Sequence, residues 1–260
     1  MYTAFINVFV FLLGLCIGSF LNCAIYRLEH KKNLSGRSFC PHCKHALNWQ
    51  DLFPIFSFLF LRGKCRYCKK RISIQYPLVE IATGVIFLLI FSAQGGPVSG
   101  WNFLNLAFYF YIASSLIIIF IYDLKHYLIP DKVSFPAIAV ALFYRIVENF
   151  SSLGNYFWAT LVASVFFLAI FLVSGGRWMG FGDVKLAILM GLVLGLPDVL
   201  TALFLAFFFG AIISVILMIF GKKGFKSEIP FGPFLIAGTF MAIFWGKEII
   251  EWYWHLFLIT

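Results

Sequence analysis

Two groups of residues in this 260-residue chain have types and spacings that can do chemistry. The first is a pair of cysteine knuckles, Cys40-Pro41-His42-Cys43 and Cys65-Arg66-Tyr67-Cys68. Two CxxC pairs about twenty residues apart can bring four thiolates onto a tetrahedron, the geometry Zn²⁺ adopts in closed structural sites. A redox pair or free thiols are the competing readings, and His42 and His45 stand close enough in sequence to substitute as ligands. The second group is two carboxylates. Asp123 ends an uncharged run from Trp101 to Tyr122, and Asp183 closes Gly180-Phe181-Gly182-Asp183. Charged groups at the ends of apolar segments are costly, so each needs a reason. Two carboxyls brought within hydrogen-bonding range share one proton. The ionised member can then activate a water as general base while the neutral member donates to a peptide carbonyl oxygen. That is peptide hydrolysis without a metal or a nucleophilic Ser. The plainer reading is that each Asp only caps or snorkels at its helix end. Glycines before Asp183 leave room for a second backbone, such as an extended substrate.

The elements that would position these groups are membrane helices. The chain is 62% hydrophobic, 20% aromatic and 12% charged, with mean hydropathy +0.94. Soluble domains are about one quarter charged, so that class is excluded. Disorder is excluded too, because the chain has abundant apolar surface to bury. At about 20 residues per span, the apolar runs predict helices over 2–26, 77–93, 101–122, 133–148, 156–174, 178–196, 199–220 and 229–246. The expected fold is an all-α integral membrane protein with about eight transmembrane helices and a small zinc-knuckle insertion between the first two. The sixth run is short: Leu186 to Leu196 rises only about 16 Å, and a re-entrant segment is the alternative to a span. The first run has no basic segment before it and no small-residue cleavage site, so it reads as a retained helix. The expected organisation is a first helix over 1–26, a basic zinc-binding module over 27–76, and a polytopic core over 77–260.

Charge fixes an orientation. Residues 27–76 carry eleven Lys and Arg against Glu29 and Asp51, a net +9 that equals the charge of the whole chain. Alternating the loops puts this module on one side, together with Lys125, Lys132, Arg177, Lys185, Lys222, Lys223 and Lys226. The other side receives only Lys247, and Arg145 falls inside a span. The positive-inside rule places the basic side, and with it Asp123 and Asp183, in the cytosol. In that compartment thiols stay reduced, which argues against disulfides. A basic face beside a membrane meets anionic lipid headgroups.

The remaining acids have structural readings. Asp131 after Pro130 reads as a helix N-cap, and Glu80 after Pro77 faces the positive end of a helix dipole. Cys16 and Cys23 lie seven apart on one face of the first helix and read as small packing residues. Lys185 reads as snorkelling towards headgroups. Pro230-Phe231-Gly232-Pro233 reads either as a ledge for substrate or as a plain helix start.

The ordered set of motifs resembles the type IV prepilin peptidase family. It runs through Gly18-Ser19-Phe20-Leu21-Asn22 and Arg27-Leu28, both knuckles, Tyr76-Pro77-Leu78-Val79-Glu80, and Asp123 with Ile129-Pro130-Asp131. Gly180-Phe181-Gly182-Asp183-Val184-Lys185-Leu186 and Pro230-Phe231-Gly232-Pro233-Phe234 complete it. The resemblance implies a membrane aspartic endopeptidase with Asp123 and Asp183 as its catalytic pair and Cys40, Cys43, Cys65 and Cys68 as zinc ligands. It implies prepilin or pseudopilin substrates, cut at the cytosolic face of the bacterial inner membrane just before their hydrophobic helix. It also implies N-methylation of the new terminus from S-adenosylmethionine, for which no Gly-rich loop or other residue can be assigned. Lipids and prepilins are the expected partners, and nucleic acid is not; oligomeric state is left open. The alternatives are a transporter that couples protons or cations through its edge carboxylates, and a methyltransferase whose peptidase site is dead.

Overall fold

The structure, a computed structural model, describes residues 2–94, 100–148, 150–220 and 229–258. The loops 95–99 and 221–228, and with them Lys222, Lys223 and Lys226 of the charge count, lie outside the described residues. Those described form nine α-helices and two short 3₁₀ turns, Trp49–Asp51 and Phe150–Ser152; two isolated bridges are the only β pairing among them. In order the helices are α1 (Tyr2–Glu29), α2 (Phe56–Phe60), α3 (Gln75–Ala93), α4 (Gly100–His126), α5 (Asp131–Glu148), α6 (Leu153–Ser174), α7 (Phe181–Leu194), α8 (Asp198–Ile219) and α9 (Gly232–Leu258).

A helix occurs at each of the eight expected runs, but among the described residues six are long and apolar enough to cross a membrane: α1, α3, α4, α6, α8 and α9. The other two differ for physical reasons. Helix α5 carries Asp131, Lys132, Arg145 and Glu148 within 18 residues. Helix α7 begins at Phe181 rather than Trp178 and has 14 residues. It is therefore about 21 Å long, against a hydrocarbon core of about 30 Å. Helix α9 runs past the expected end at 246, with non-helical angles at Trp245. Between 22% and 39% of each candidate span is buried, so most of its apolar surface is left for lipid.

The chain falls into two compact units, Met1–Ile118 and Ile119–Thr260, with the boundary inside α4. In the first, α1 packs on α3. Backbones meet so closely that a Cβ on Gly14 would lie 2.7 Å from the Gly84 Cα. In the second, α6 packs on α7 and α8 on α9. A Cβ on Gly191 would lie 2.4 Å from the Thr160 Cα, and one on Gly238 would lie 2.3 Å from the Ala202 carbonyl oxygen. Helices in lipid lack a hydrophobic drive to associate, so small residues that admit close backbone contact supply the packing.

Candidate active site and metal centre

Each knuckle has the same local backbone. The Lys44 N–H donates to Cys40 O and the Lys69 N–H to Cys65 O, each through a residue at positive φ (Lys44 60°, Lys69 59°). The bridges Phe39–Ala46 and Lys64–Arg71 close the two loops identically. The result brings the four Sγ atoms of Cys40, Cys43, Cys65 and Cys68 within 4.8 Å of one another. Cys40 Sγ and Cys68 Sγ are 3.9 Å apart, and four sulfurs around Zn²⁺ at about 2.3 Å stand about 3.8 Å apart. The donor set fits a metal. Against the upward push of burial, hydrogen bonds from the Cys43 and His42 backbone and from neighbouring thiols hold Cys40 at about 7. Cys68 receives a favourable backbone bond from Lys70, yet desolvation and the other three cysteines push it up to about 11. Four sulfurs this close cannot all ionise without a cation between them. His42 is exposed, and His45 stacks on Tyr67 at 3.7 Å, so neither joins the cluster.

Residues outside the four cysteines hold this module in place. Arg27 is buried and donates to three carbonyls of the entering loop, those of Leu34, Gly36 (2.7 Å) and Arg37 (3.2 Å). Asp51 accepts from Arg66 Nε at 2.7 Å and from Tyr67. Burial notwithstanding, these bonds and one from the Asn48 N–H keep its carboxyl below the usual range. Glu80 does not simply face the dipole of α3: it is buried and accepts the Ile55 N–H at 2.7 Å.

The aspartates belong to the second unit. Asp123 lies in the last turn of α4, followed by a chain reversal at Tyr127 (φ 56°) that leads to Pro130 and α5. It accepts a hydrogen bond from the backbone N–H of Gly232, the first residue of α9. Asp183 is the third residue of α7, and its carboxylate accepts from the backbone N–H of the N-cap Gly180, one half of a capping box. Both are buried, at 5% and 8% exposure, and near enough for their charges to interact. One backbone N–H orients each carboxyl, Asp123 at the end of α4 and Asp183 at the start of α7.

The neighbours differ in part from expectation. The space beside Gly182 is taken by Ile129, 3.1 Å from where a Cβ would stand, while a Cβ on Gly180 would meet only the Gly182 N at 3.9 Å. Lys185 does not snorkel; it pairs with Asp131 and lies over the Phe135 and Phe181 rings at 5.3 and 5.4 Å. That contact ties the second turn of α7 to the first of α5. Pro230-Phe231-Gly232-Pro233 is a helix start, with Phe231 O accepting from the Phe234 N–H.

Comparison with known proteins finds relatives over nearly the whole chain. Residues 12–93 match the bacterial peptidase A24 N-terminal domain, and residues 110–215 match the type IV leader peptidase family. The chain is 31% identical to a prepilin leader peptidase/N-methyltransferase of Aeromonas hydrophila, over 96% of this chain and 94% of that one. The chain belongs to the type IV leader peptidase family. It is accordingly an enzyme of the peptidase class and a multi-pass membrane protein. Proteins of the same name from Bacillus subtilis (strain 168) and Legionella pneumophila are each 32% identical, over 94% and 97% of the peptidase and 96% of each relative. No solved structure matches the chain.

The closest contact at the carboxyl pair supplies a test. A Cβ on Gly232 would stand 2.4 Å from Asp123 Oδ2 and 3.2 Å from its Cγ. Gly232→Ala must therefore turn the Asp123 carboxyl without changing any titratable group. Misplacement of a reacting group by about 1 Å costs on the order of 10²-fold. With Asp123 in the catalytic role proposed below, turnover of Gly232→Ala is expected to fall by about that factor with helix content unchanged by circular dichroism; wild-type turnover would count against that role.

Proposed function

We propose that this peptidase removes the short basic leader of prepilin or pseudopilin proteins by aspartic chemistry, using Asp123 and Asp183. One carboxyl is ionised and takes a proton from water as it attacks the scissile carbonyl; the other donates its proton to the carbonyl oxygen. Collapse of the tetrahedral intermediate breaks the C–N bond: the proton taken from water goes to the departing amine, and the carboxyl that had donated recovers a proton from the diol as the C=O re-forms. The observation that carries this reading is two buried carboxyls within electrostatic reach, each held by a backbone N–H. The asymmetry of basic residues supports a cytosolic site, at the depth where a membrane-embedded substrate helix presents its leader junction. The relatives carry a peptidase name, and the transport reading gains no support.

That name also includes an N-methyltransferase, and we extend it to methylation of the new terminal amine by S-adenosylmethionine. The donor would supply the methyl group; its residues stay unassigned. Incubation of the purified chain with a prepilin, followed by mass spectrometry of the mature N-terminus, tests both activities. Cleavage is expected with or without the methyl donor, and a methylated terminus only with it. Absence of cleavage in both samples would leave at most a methyltransferase.

The thiolate cluster is proposed to hold one structural Zn²⁺. Metal analysis is expected to return about one zinc per chain. Structural zinc contributes on the order of 10 kcal/mol to folding of such modules, so Cys40→Ser is expected to make residues 34–72 susceptible to protease. A zinc-free chain with a protected module would defeat this assignment.

A further inference from the structure

Between the knuckles the chain turns apolar side chains outward. Trp49 is 68% and Phe60 85% exposed, and Phe53, Phe56 and Leu59 are each more than half exposed. A water-exposed metal module has no use for five large apolar side chains within twelve residues, and contiguous exposure of this kind marks an interaction surface.

The height of this patch is set by a hydrogen bond already described. Ile55, immediately before α2, donates its N–H to Glu80. It does so at φ 62°, a region that β-branched residues rarely adopt, so local geometry is bent to make the contact. Glu80 is the sixth residue of α3, and helix side chains tilt towards the N-terminus. Helix α2 therefore lies beside the first two turns of a helix that is itself a candidate membrane span. It sits level with the bilayer boundary rather than above it. Immediately afterwards come Arg62, Lys64, Lys69, Lys70 and Arg71, all exposed. Aromatic side chains with a basic rim at this height are the composition of an interfacial segment.

We propose that Trp49, Phe53, Phe56, Leu59 and Phe60 form a foot seated in the lipid leaflet beside the knuckles, with the basic rim on anionic headgroups. The occupant is lipid because α3 itself fixes the depth of the patch and the charge of the rim complements anionic lipid. The knuckle module, tethered at both ends by α1 and α3, gains from the foot a third attachment that fixes its orientation. This goes beyond cleavage and does not depend on which residues perform it.

The test uses the whole chain in nanodiscs. Phe60→Trp in a Trp49→Phe background places a reporter at the most exposed position, and subtraction of the Trp49→Phe spectrum isolates it from the other tryptophans. The reporter is expected to emit to the blue and to lose about twofold in intensity when acyl chains are brominated near the headgroup end. Bromination near the chain end is expected to quench it less, and aqueous acrylamide hardly at all. Replacing part of the neutral lipid by anionic lipid should deepen the quenching; indifference to that change would overturn the assignment of the rim. A reporter quenched by acrylamide and blind to bromine would overturn the lipid seat. A reporter shielded only on addition of a prepilin segment would also overturn it, and would give the patch to substrate.

Discussion

Asp123→Asn and Asp183→Asn are each expected to abolish leader cleavage while the chain inserts and folds normally. The substitution separates two roles that coincide at these positions. An Asn side chain keeps the acceptor that receives the Gly232 or Gly180 backbone N–H, so the structural bond at each helix end survives. What is lost is the ability to carry or release a proton. General acid–base catalysis contributes about 10²–10⁴-fold per group, so turnover should fall by at least about 10³-fold. Groups that act as one unit are strongly non-additive. The double variant should therefore be no slower than either single one, within error. Cleavage measured by mass shift, with the thermal midpoint as a check on folding, decides the matter. Near-normal cleavage in both single variants would return the aspartates to helix capping alone.

The sequence made some of this arrangement legible and hid the rest, and the division follows the range of the interactions. The knuckles could be read because their ligands are paired locally, and a repeated turn with Lys44 and Lys69 at positive φ builds each one. Asp123 and Asp183 stood out because uncharged or glycine-rich surroundings make a lone carboxylate conspicuous. Six of the eight expected helices pass the length and hydropathy test because apolar length is summed along the chain. The features that escaped depend on partners distant in sequence. Glu80 finds Ile55 25 positions away, and Lys185 finds Asp131 54 positions away. The start of α7 was misjudged for a related reason: Trp178 and Met179 are apolar enough to extend a helix, but Gly180 in an extended conformation caps it, and the helix starts three residues later at Phe181.

Arg145 is the residue whose sequence reading, a basic group inside a span, understated it most, and its substitution carries the second large expectation. The last carbonyls of α7 have no partner within the helix, and those of Leu192 and Val193 belong to buried residues. Arg145, 3% exposed, donates Nε to Leu192 O at 3.0 Å and Nη2 to Val193 O at 2.7 Å. Its guanidinium also pairs with Glu148 and lies 4.0 Å over the Tyr156 ring. Asn155 secures the turn beyond the helix, exchanging two hydrogen bonds with the Leu196 backbone. A cation at this end also opposes the negative pole of the helix. Arg145→Met keeps most of the apolar stem and removes every donor, leaving two buried carbonyls at a cost of about 1–3 kcal/mol each. The thermal midpoint is expected to fall by about 5–10 °C. Because Asp183 rides on the opposite end of the same short helix, kcat should fall more than KM rises. Arg145→Lys can satisfy one carbonyl but not both in a fork, so it should recover only part of each loss. An Arg145→Met chain as stable as wild type would show that α7 needs no cap from α5, and Asp183 would then have to be held from its own end by Gly180 and the Lys185–Asp131 pair.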